Sequence, residues 1–401
     1  MPLSQRLIND RCQLTLIVVL LLAAVTQAQT FTTLYSFTGG SDGAEPFAGV
    51  IQDSAGNLYG TGAGENYYPY LGVVFEMNTA GTETVLHSFS GSPDGDTPFA
   101  PVVRDKAGNI YGTTQYGGTS SNCDIGCGTV FKIDAKGNET VRHSFSGGSD
   151  GYFPVQGLVM DEKGNLYGTT FYSNSGSGYG TIFKLDRAGN FTLLHSFAGG
   201  SSDGALPIYG HLTMDKVGNL YGVTAQGGAY GYGTLYKLSK RKTLTVLHSF
   251  PGHGTSDGCE PYGSVVQDAA GNHYGTTLYC GLYGGGTIWK VSVKGKETIL
   301  HNFAGGKSDG CRPYAGVTRD SKGNLYGVAD ACGANNYGAL YKLSASGRLT
   351  LLHSFDNADG AGPVGEVRRT AKGTLFGTTS YGAGGGNYCQ DGCGTVWSYV
   401  P

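Results

Sequence analysis

The sequence is poor in charged residues, has no cluster of basic side chains and carries no long apolar run after its N-terminal segment. Only 14% of the 401 residues are charged and the net charge is −3, so nothing supports a nucleic-acid partner. Intrinsic disorder is excluded because 27 tyrosines and 17 phenylalanines accompany that small net charge. The 70 glycines have no three-residue period, which excludes collagen. No later segment shows the apolar period of a helix, so a large folded protein with few helices remains.

The N-terminal segment has the composition of a secretory signal peptide. Arg6 and Arg11 precede an apolar run over residues 14–25, and small residues follow up to Ala28. A run of that length is too short to cross a bilayer, which needs about 20 residues. We therefore predict a signal peptide over residues 1–28 and a mature chain, residues 29–401, with no membrane span. The predicted location is secreted, extracellular or periplasmic.

Three short motifs recur with a spacing of 50 to 56 residues. Leu-His-Ser-Phe and its variants end at Phe37, Phe89, Phe145, Phe197, Phe250, Phe303 and Phe355. Leu-Tyr-Gly and its variants place an aromatic residue at Tyr59, Tyr111, Tyr167, Tyr221, Tyr274, Tyr326 and Phe376. Gly-Thr-Val-Phe-Lys and its variants place one at Phe75, Phe131, Phe183, Tyr236, Trp289, Tyr341 and Trp397. A fixed period near 50 residues is typical of propellers and solenoids.

Each repeat has the pattern of four short strands separated by Gly- and Asn-containing turns. The chain begins its repeats with a lone fourth strand over residues 31–37 and ends on a third strand over residues 397–400. The first strand can therefore complete the last unit and close a ring. We predict an all-β protein whose residues 29–401 form a single seven-bladed β-propeller domain of four-stranded antiparallel blades. A β-helix is the alternative, and it predicts shorter coils and no such missing strand.

The repeats resemble those of the bacterial GloVer (choice-of-anchor) tandem-repeat family. The resemblance rests on Leu-Tyr-Gly-Thr-Thr, Gly-Thr-Val-Phe-Lys, and Leu-His-Ser-Phe followed by Gly-Gly-Ser-Asp-Gly, and it covers nearly all of residues 31–400. It implies export to the cell surface or medium and implies no particular activity.

The topology of such a blade places the loops between strands two and three on the same face as the loops between blades. This loop face is the candidate functional face, since binding residues concentrate on loops held by a rigid scaffold. Eight cysteines of the mature chain fall in these loops, and the predicted pairs are Cys259–Cys280, Cys311–Cys332, Cys123–Cys127 and Cys389–Cys393. Disulfides are favoured over a zinc site because the chain is predicted to be exported.

Two polar residues recur with the blades and are interpreted as structural. Six histidines belong to the fourth-strand motif, lie apart around the ring, and are assigned to packing and hydrogen bonding: His87, His143, His195, His248, His301 and His353. Seven aspartates precede glycine in the loops between blades: Asp42, Asp94, Asp150, Asp203, Asp257, Asp309 and Asp359. A turn-capping role is favoured for these aspartates, so no cofactor is predicted. Calcium binding by the same aspartates is the alternative.

Residues that break the repeat are weak candidates for catalysis. The first strands begin with small residues except at Gln156, His211 and Glu366. A histidine and a carboxylate in a central channel would form a general acid–base pair. Blades four and seven lie across the ring, however, so the sequence predicts separate, solvated channel residues rather than a contact.

Tyrosine is enriched in the loops between strands two and three. Its flat face and hydroxyl suit recognition, and the ligand-binding candidates are Tyr116, Tyr172, Tyr230, Tyr232, Tyr279, Tyr283, Tyr381 and Tyr388. Those that follow Thr-Thr have the alternative of extending the second strand. The sequence favours an exported, non-enzymatic binding or scaffold protein with a carbohydrate or protein ligand at the cell surface. An extracellular enzyme, such as a glycan lyase or lactonase, and a purely structural envelope protein are the alternatives.

Overall fold

The computed structural model of the protein describes residues 29–64, 71–174, 178–384 and 389–401. All named secondary-structure elements in these ranges are β-strands, and seven four-stranded antiparallel sheets form the blades of a β-propeller. The predicted all-β, seven-bladed fold is confirmed. The signal peptide predicted over residues 1–28 lies outside the described residues. Within the described ranges no helix combines the length and apolar character that crossing a membrane requires.

The strands of each blade are antiparallel, and in the first six blades they follow chain order from the axis of the ring to its rim. Blade one contains Ile51–Gln52, Leu58–Gly62, Val73–Met77 and Glu83–Ser88. Blade two contains Val103–Arg104, Ile110–Thr114, Thr129–Ile133 and Glu139–Ser144. Blade three contains Val159–Met160, Leu166–Thr170, Thr181–Leu185 and Phe191–Ser196. Blade four contains Thr213–Met214, Leu220–Thr224, Thr234–Leu238 and Leu244–Ser249. Blade five contains Val266–Gln267, His273–Thr277, Thr287–Val291 and Glu297–Asn302. Blade six contains Thr318–Arg319, Leu325–Ala329, Ala339–Leu343 and Leu349–Ser354.

Three of the blades carry an additional two-residue ladder on the loop face. It pairs the loop that precedes the first strand with the loop that follows the second. The pairs are Gly204–Ala205 with Gln226–Gly227, Gly258–Cys259 with Tyr279–Cys280, and Gly310–Cys311 with Ala331–Cys332. The two kinds of loop are therefore joined by backbone hydrogen bonds in blades four, five and six.

The seventh blade combines the two ends of the propeller. Its strands are Arg368–Arg369, Leu375–Thr379, Thr395–Val400 and, as the outermost strand, Thr30–Ser36. The last two pair antiparallel, with Thr30 opposite Val400 and Thr33 opposite Trp397. The predicted closure of the ring by the N-terminal strand is confirmed. Because the seventh sheet is complete, it leaves no unpaired third strand at the rim.

One side chain fixes the hairpin between the first two strands of a blade. In blade one, Asp53 Oδ1 accepts the backbone N–H groups of Ala55 and Asn57, both at 2.9 Å, and the Tyr59 hydroxyl donates to Oδ2 at 3.1 Å. Although burial raises the pKa of Asp53, these donors hold it below its usual value. The Leu-Tyr-Gly tyrosine thus secures the turn that precedes its own strand.

A contact between glycine and an aromatic ring joins two of the repeated motifs within each blade. Gly60 of Leu-Tyr-Gly lies opposite Phe75, and a Cβ atom on Gly60 would lie 2.6 Å from that ring. The third-strand aromatic residues are all fully buried: Phe75, Phe131, Phe183, Tyr236, Trp289, Tyr341 and Trp397. The glycine is therefore required by the ring that covers it, and not by a turn.

The Leu-His-Ser-Phe motif joins each blade to the next. Phe37, which follows the outermost strand of blade seven, packs edge-on against Phe75 of blade one with ring centroids 5.2 Å apart. The same contact recurs at all seven junctions with centroid distances between 5.1 and 5.9 Å. Burial of each phenylalanine contributes about 1.5–3 kcal/mol. The three motifs therefore specify one continuous ring of interlocked aromatic residues.

Close backbone packing narrows the centre of the ring where the first strands begin. A Cβ atom on Gly49 would overlap the carbonyl oxygen of Glu366 in the neighbouring blade, and one on Gly263 would overlap the backbone nitrogen of Gly316. Gly157 N–H donates to the Gly210 carbonyl at 2.8 Å, which ties blades three and four at the same level. Small residues at this level are thus necessary for adjacent blades to approach each other.

A Gly263→Ala substitution tests this packing. We expect it to lower the free energy of unfolding by about 2 kcal/mol or more, because its methyl group must push apart two backbones rather than a flexible side chain. Gly40→Ala is the matched control, since its Cβ atom would meet only side-chain atoms at 3.6 Å or beyond. Thermal unfolding of both variants measures the difference. Equal melting temperatures would contradict the close backbone approach.

His273 is a buried exception in the Leu-Tyr-Gly motif. The other six blades have leucine or isoleucine at this position, and His273 is only 4% exposed. Its Nδ1 finds no hydrogen-bond partner in the described part of the chain, and burial lowers its pKa to about 4. The unfolded chain therefore binds a proton near the ordinary pKa of 6.5 that the folded chain does not bind until about pH 4.

We expect this histidine to make the protein less stable as the pH falls from 6.5 towards 4. The loss should reach about 2 kcal/mol at pH 5, and His273→Leu should remove it. The measurement is the difference in melting temperature between pH 7.5 and pH 5, compared between the native protein and the variant. The same difference in both proteins would show that His273 accepts its proton without cost in the folded state.

Candidate functional site

The loops between blades converge on the axis through a repeated local conformation. The residue before the loop proline has a positive φ, for example 50° at Glu45, 55° at Thr97 and 56° at Arg312. Such values are uncommon outside glycine. Side chains that follow the prolines then meet around the axis, where they line a cavity of about 360 Å³ on the loop face: Phe47, Phe99, Val155, Tyr209, Tyr314 and Val364. We call this the central cavity.

Aromatic rings form most of the wall of the central cavity. Phe47 and Phe99 lie with centroids 4.7 Å apart on one side. On the other side Tyr209 contacts Tyr314 at 5.3 Å, and Tyr262 packs behind both. Burial raises the pKa of Tyr209 and of Tyr314. Their hydroxyl groups therefore stay protonated and can both donate and accept hydrogen bonds.

An ion pair adds charge to the same wall. Arg312 Nη2 lies 2.7 Å from Asp330 Oδ2, and both residues line the central cavity. Burial raises the pKa of Asp330, against the opposing effect of the Arg312 charge. The pair brings both a fixed donor and an acceptor to a wall whose other side chains are mainly aromatic and aliphatic.

Three polar side chains, those of His211, Ser264 and Glu366, meet at the floor of the central cavity. Glu366 Oε1 accepts the backbone N–H of Ser264 at 3.1 Å, and Glu366 Oε2 lies 3.5 Å from His211 Nδ1. Ser264 Oγ lies 2.8 Å from the same Nδ1 and accepts the backbone N–H of His211 at 2.6 Å. The prediction that His211 and Glu366 stay apart was wrong. They belong to blades across the ring, but the glycine-lined centre is narrow enough for Glu366 to reach over it.

The same narrow packing accounts for Gln156. Predicted as a solvated channel residue, it is only 4% exposed, and its Oε1 accepts the Thr169 hydroxyl at 2.7 Å. Its carbonyl oxygen also accepts the Thr113 hydroxyl of the preceding blade at 3.3 Å. The solvated assignment was therefore wrong, and Gln156 joins two neighbouring blades.

The geometry of His211, Ser264 and Glu366 does not match a nucleophilic triad. In a triad the acid and the nucleophile contact opposite nitrogens of the imidazole. Here both Ser264 and Glu366 approach Nδ1. The cluster links three blades at the floor of the central cavity, and its Glu366 side chain lines that cavity.

The repeated histidines pair with the repeated aspartates at the rim of the ring. The Nε2 atoms of six histidines lie between 2.6 and 3.8 Å from the Asp-Gly aspartates, in the pairs His87–Asp94, His143–Asp150, His195–Asp203, His248–Asp257, His301–Asp309 and His353–Asp359. In the seventh case the Tyr35 hydroxyl donates to Asp42 at 3.0 Å. Burial raises the pKa of Asp203, but the His195 hydrogen bond and backbone donors hold it below its usual value. These pairs anchor each loop to the strand that precedes it.

The tyrosines predicted to bind ligand fall into separate groups. Tyr381 lines the central cavity, whereas Tyr116 packs on Phe153 and Tyr172 on Tyr152. Four others are exposed on the loop face, by 36 to 62%: Tyr230, Tyr232, Tyr279 and Tyr283. Tyr388 lies outside the described residues.

Sequence reasoning missed most of the aromatic wall. The signal was present, because Phe47, Phe99, Tyr262 and Tyr314 each follow the loop proline directly and Tyr209 follows one residue later.

Four disulfides stiffen the loop face. They are Cys123–Cys127, Cys259–Cys280, Cys311–Cys332 and Cys389–Cys393, the same pairs that the sequence predicted. Cys259–Cys280 and Cys311–Cys332 each join two loops of one blade. Cys259 lies three residues before Tyr262, which packs behind the cavity wall, and Cys311 lies three residues before Tyr314 of the wall itself. Disulfides of this kind are typical of exported proteins.

Comparison with solved structures supports the architecture. The extracellular domain of BT4673 from B. thetaiotaomicron, described as a one-component system, is similar with a TM-score of 0.55 at 11% identity, over 92% of this chain and 40% of that chain. A second structure of that domain, described as a hybrid two-component system, has a TM-score of 0.57 at 11% identity, over 92% and 39%. This chain thus spans about two fifths of their length, and the likeness concerns the fold alone.

A structure of lower similarity is XC5397 from Xanthomonas campestris, described as a gluconolactonase. Its TM-score is 0.45 at 12% identity, over 94% of this chain and 92% of that chain. Similarity at this level carries no argument about activity.

Sequence comparison identifies the family. No curated protein sequence matches this chain. The family model described as the Gloeobacter/Verrucomicrobia repeat matches residues 21–217 and again residues 207–401, and so covers every blade of the ring. The protein belongs to the Gloeobacter/Verrucomicrobia repeat family.

Proposed function

We propose that this protein is an exported binding protein whose central cavity holds a small, uncharged carbohydrate. The observation that carries the proposal is the convergence of aromatic rings from five blades on one cavity: Phe47, Phe99, Tyr209, Tyr314 and Tyr381. The volume of about 360 Å³ is at the lower end of the range for small-molecule sites, about 300–1,000 Å³. A cavity of this size can hold one or two sugar units but not a longer oligosaccharide.

The chemistry of the wall supports a sugar over other small ligands. Aromatic faces pack against the apolar C–H face of a sugar ring, and tyrosine hydroxyls exchange hydrogen bonds with its hydroxyl groups. Among the described residues, three charged groups line the cavity: Arg312, Asp330 and Glu366. Because the arginine is already paired with Asp330, this part of the chain offers an anionic ligand no unpaired cation in the cavity.

Export is supported by the disulfides rather than by the N-terminal segment. Four disulfides are stable in an oxidising compartment and are rare in the cytosol. A second candidate function is protein binding through the exposed residues of blades four and five. Tyr230, Leu282 and Tyr283 are each 60 to 62% exposed and lie on the loop face outside the central cavity.

Tyr314→Ala tests the assignment of the cavity. A glycan array identifies the ligand, and titration calorimetry with that glycan should show at least tenfold weaker binding by the variant, which corresponds to about 1.4 kcal/mol. The expected loss follows from removing one aromatic face and its hydroxyl from the wall. Tyr283→Ala is the matched control, since Tyr283 is 62% exposed and does not line the cavity.

The outcomes separate the candidate functions. If Tyr283→Ala weakens glycan binding and Tyr314→Ala does not, the exposed loop surface is the binding site. That result would favour binding of a macromolecular partner over a small sugar in the central cavity. Release of a reaction product from the glycan by the native protein would show an enzyme. An array with no bound glycan would contradict the carbohydrate proposal.

A further inference from the structure

Three side chains that could ligate a metal converge at the rim between blades four and five. His248 lies in the fourth strand of blade four, Asp257 in the loop that follows, and Glu297 begins the fourth strand of blade five. His248 Nε2 is 3.1 Å from Glu297 Oε2 and 3.8 Å from Asp257 Oδ2. One potential ligand atom from each residue lies within 4.8 Å of the other two.

This cluster is partly buried and incompletely hydrogen-bonded. The side chain of Glu297 is only 10% exposed, and among the described residues its Oε1 has no hydrogen-bond donor. His248 Nε2 lies 3.1 Å from Glu297 Oε2 but is not aligned for a hydrogen bond with it. A buried carboxylate oxygen without a donor is costly, and a cation between the three groups would satisfy it.

A second rim site repeats the arrangement between blades one and two. His87, Asp94 and Glu139 hold the equivalent positions, and their ligand atoms also lie within 4.8 Å of one another. Glu139 Oε1 is likewise buried, and none of the described residues donates a hydrogen bond to it. The additional glutamate is thus placed against a His–Asp pair at two separate junctions.

Four of the other five junctions have an apolar residue at the glutamate position, and the fifth has a glutamate but no histidine. Phe191 stacks on His143 with centroids 4.4 Å apart, and Phe31 stacks on His353 at 3.7 Å. Leu244 and Leu349 hold the position in blades four and six, and Glu83 faces Tyr35 and Asp42, a junction without histidine. The fold therefore forms with an apolar residue there, so the glutamates are not required by the architecture alone.

We propose that His248, Asp257 and Glu297 bind a divalent transition-metal ion of the Zn²⁺ class, and that His87, Asp94 and Glu139 form a second such site. One imidazole and two carboxylates supply three ligands and leave a fourth position for water. Calcium would need six to eight oxygen ligands, more than these residues provide. A shallow surface groove lined by Tyr230, His248, Pro251 and Asp257 gives the ion a path from solvent.

Metal titration of the purified protein tests the proposal. We expect two equivalents of Zn²⁺ per chain, measured by competition with a chromophoric chelator, and Co²⁺ should bind with a visible absorption spectrum. Glu297→Leu should remove one equivalent, Glu139→Leu the other, and the double variant both. Zn²⁺ should raise the melting temperature of the native protein and leave that of the double variant unchanged.

Glu83→Leu is the matched control, because it makes the same substitution at the junction where Tyr35 replaces histidine. It should keep both equivalents. Native protein that binds no stoichiometric Zn²⁺, a double variant that binds as the native protein does, or equal loss in the control would overturn the proposal. Loss of one equivalent on Glu297→Leu with none on Glu139→Leu would keep the first site and exclude the second. Ca²⁺ binding in place of Zn²⁺, lost in the double variant, would overturn the assigned metal class.

Discussion

The contact between a phenylalanine of one blade and the buried aromatic residue of the next is the interaction on which the rest of the structure depends. It recurs at every junction, from Phe37 against Phe75 to Phe355 against Trp397. The aromatic residue in turn requires a glycine on the adjacent strand, since any Cβ atom at Gly60 would meet the ring of Phe75. A closed ring permits no free adjustment at one junction without displacing the others, so the same three motifs must recur in every repeat.

The candidate site is a consequence of that ring geometry. Bringing seven sheets around one axis forces the innermost strands together, and glycines such as Gly49 and Gly263 make the approach sterically feasible. On the loop-face side of these glycines, a residue that follows each loop proline lies close to the axis. The identity of that residue differs from blade to blade. The repeated positions build the scaffold, and the varied positions next to the axis give the cavity its chemical character. The rim offers a second set of varied positions, where Glu297 or Phe191 faces an otherwise constant pair of side chains.

The sequence predicted the fold, the closure and the disulfide pairs because these depend on order along the chain. Strand count, repeat length and the position of a cysteine within a repeat are visible without coordinates. The meeting of His211 with Glu366 was not predictable in this way, because it depends on the width of the central throat, which backbone packing at Gly263 and Gly316 determines. The aromatic wall was missed for a related reason. Phe47 and Tyr314 stand in Gly- and Pro-rich loops where a turn explains the local sequence, and only the ring brings them together.

The pairing of Thr30–Ser36 with Thr395–Val400 also has a kinetic consequence. The outermost strand of the seventh sheet belongs to the earliest part of the described chain to be synthesised, and its partner belongs to the last. Sheets one to six can assemble in chain order, whereas the seventh must wait until residues 395–400 are available. Until then Phe37 has its aromatic partner in blade one but its own strand is unpaired, and the ring is open with an exposed strand edge. The arrival of Thr395–Val400 at Thr30–Ser36 is therefore the step that closes the ring.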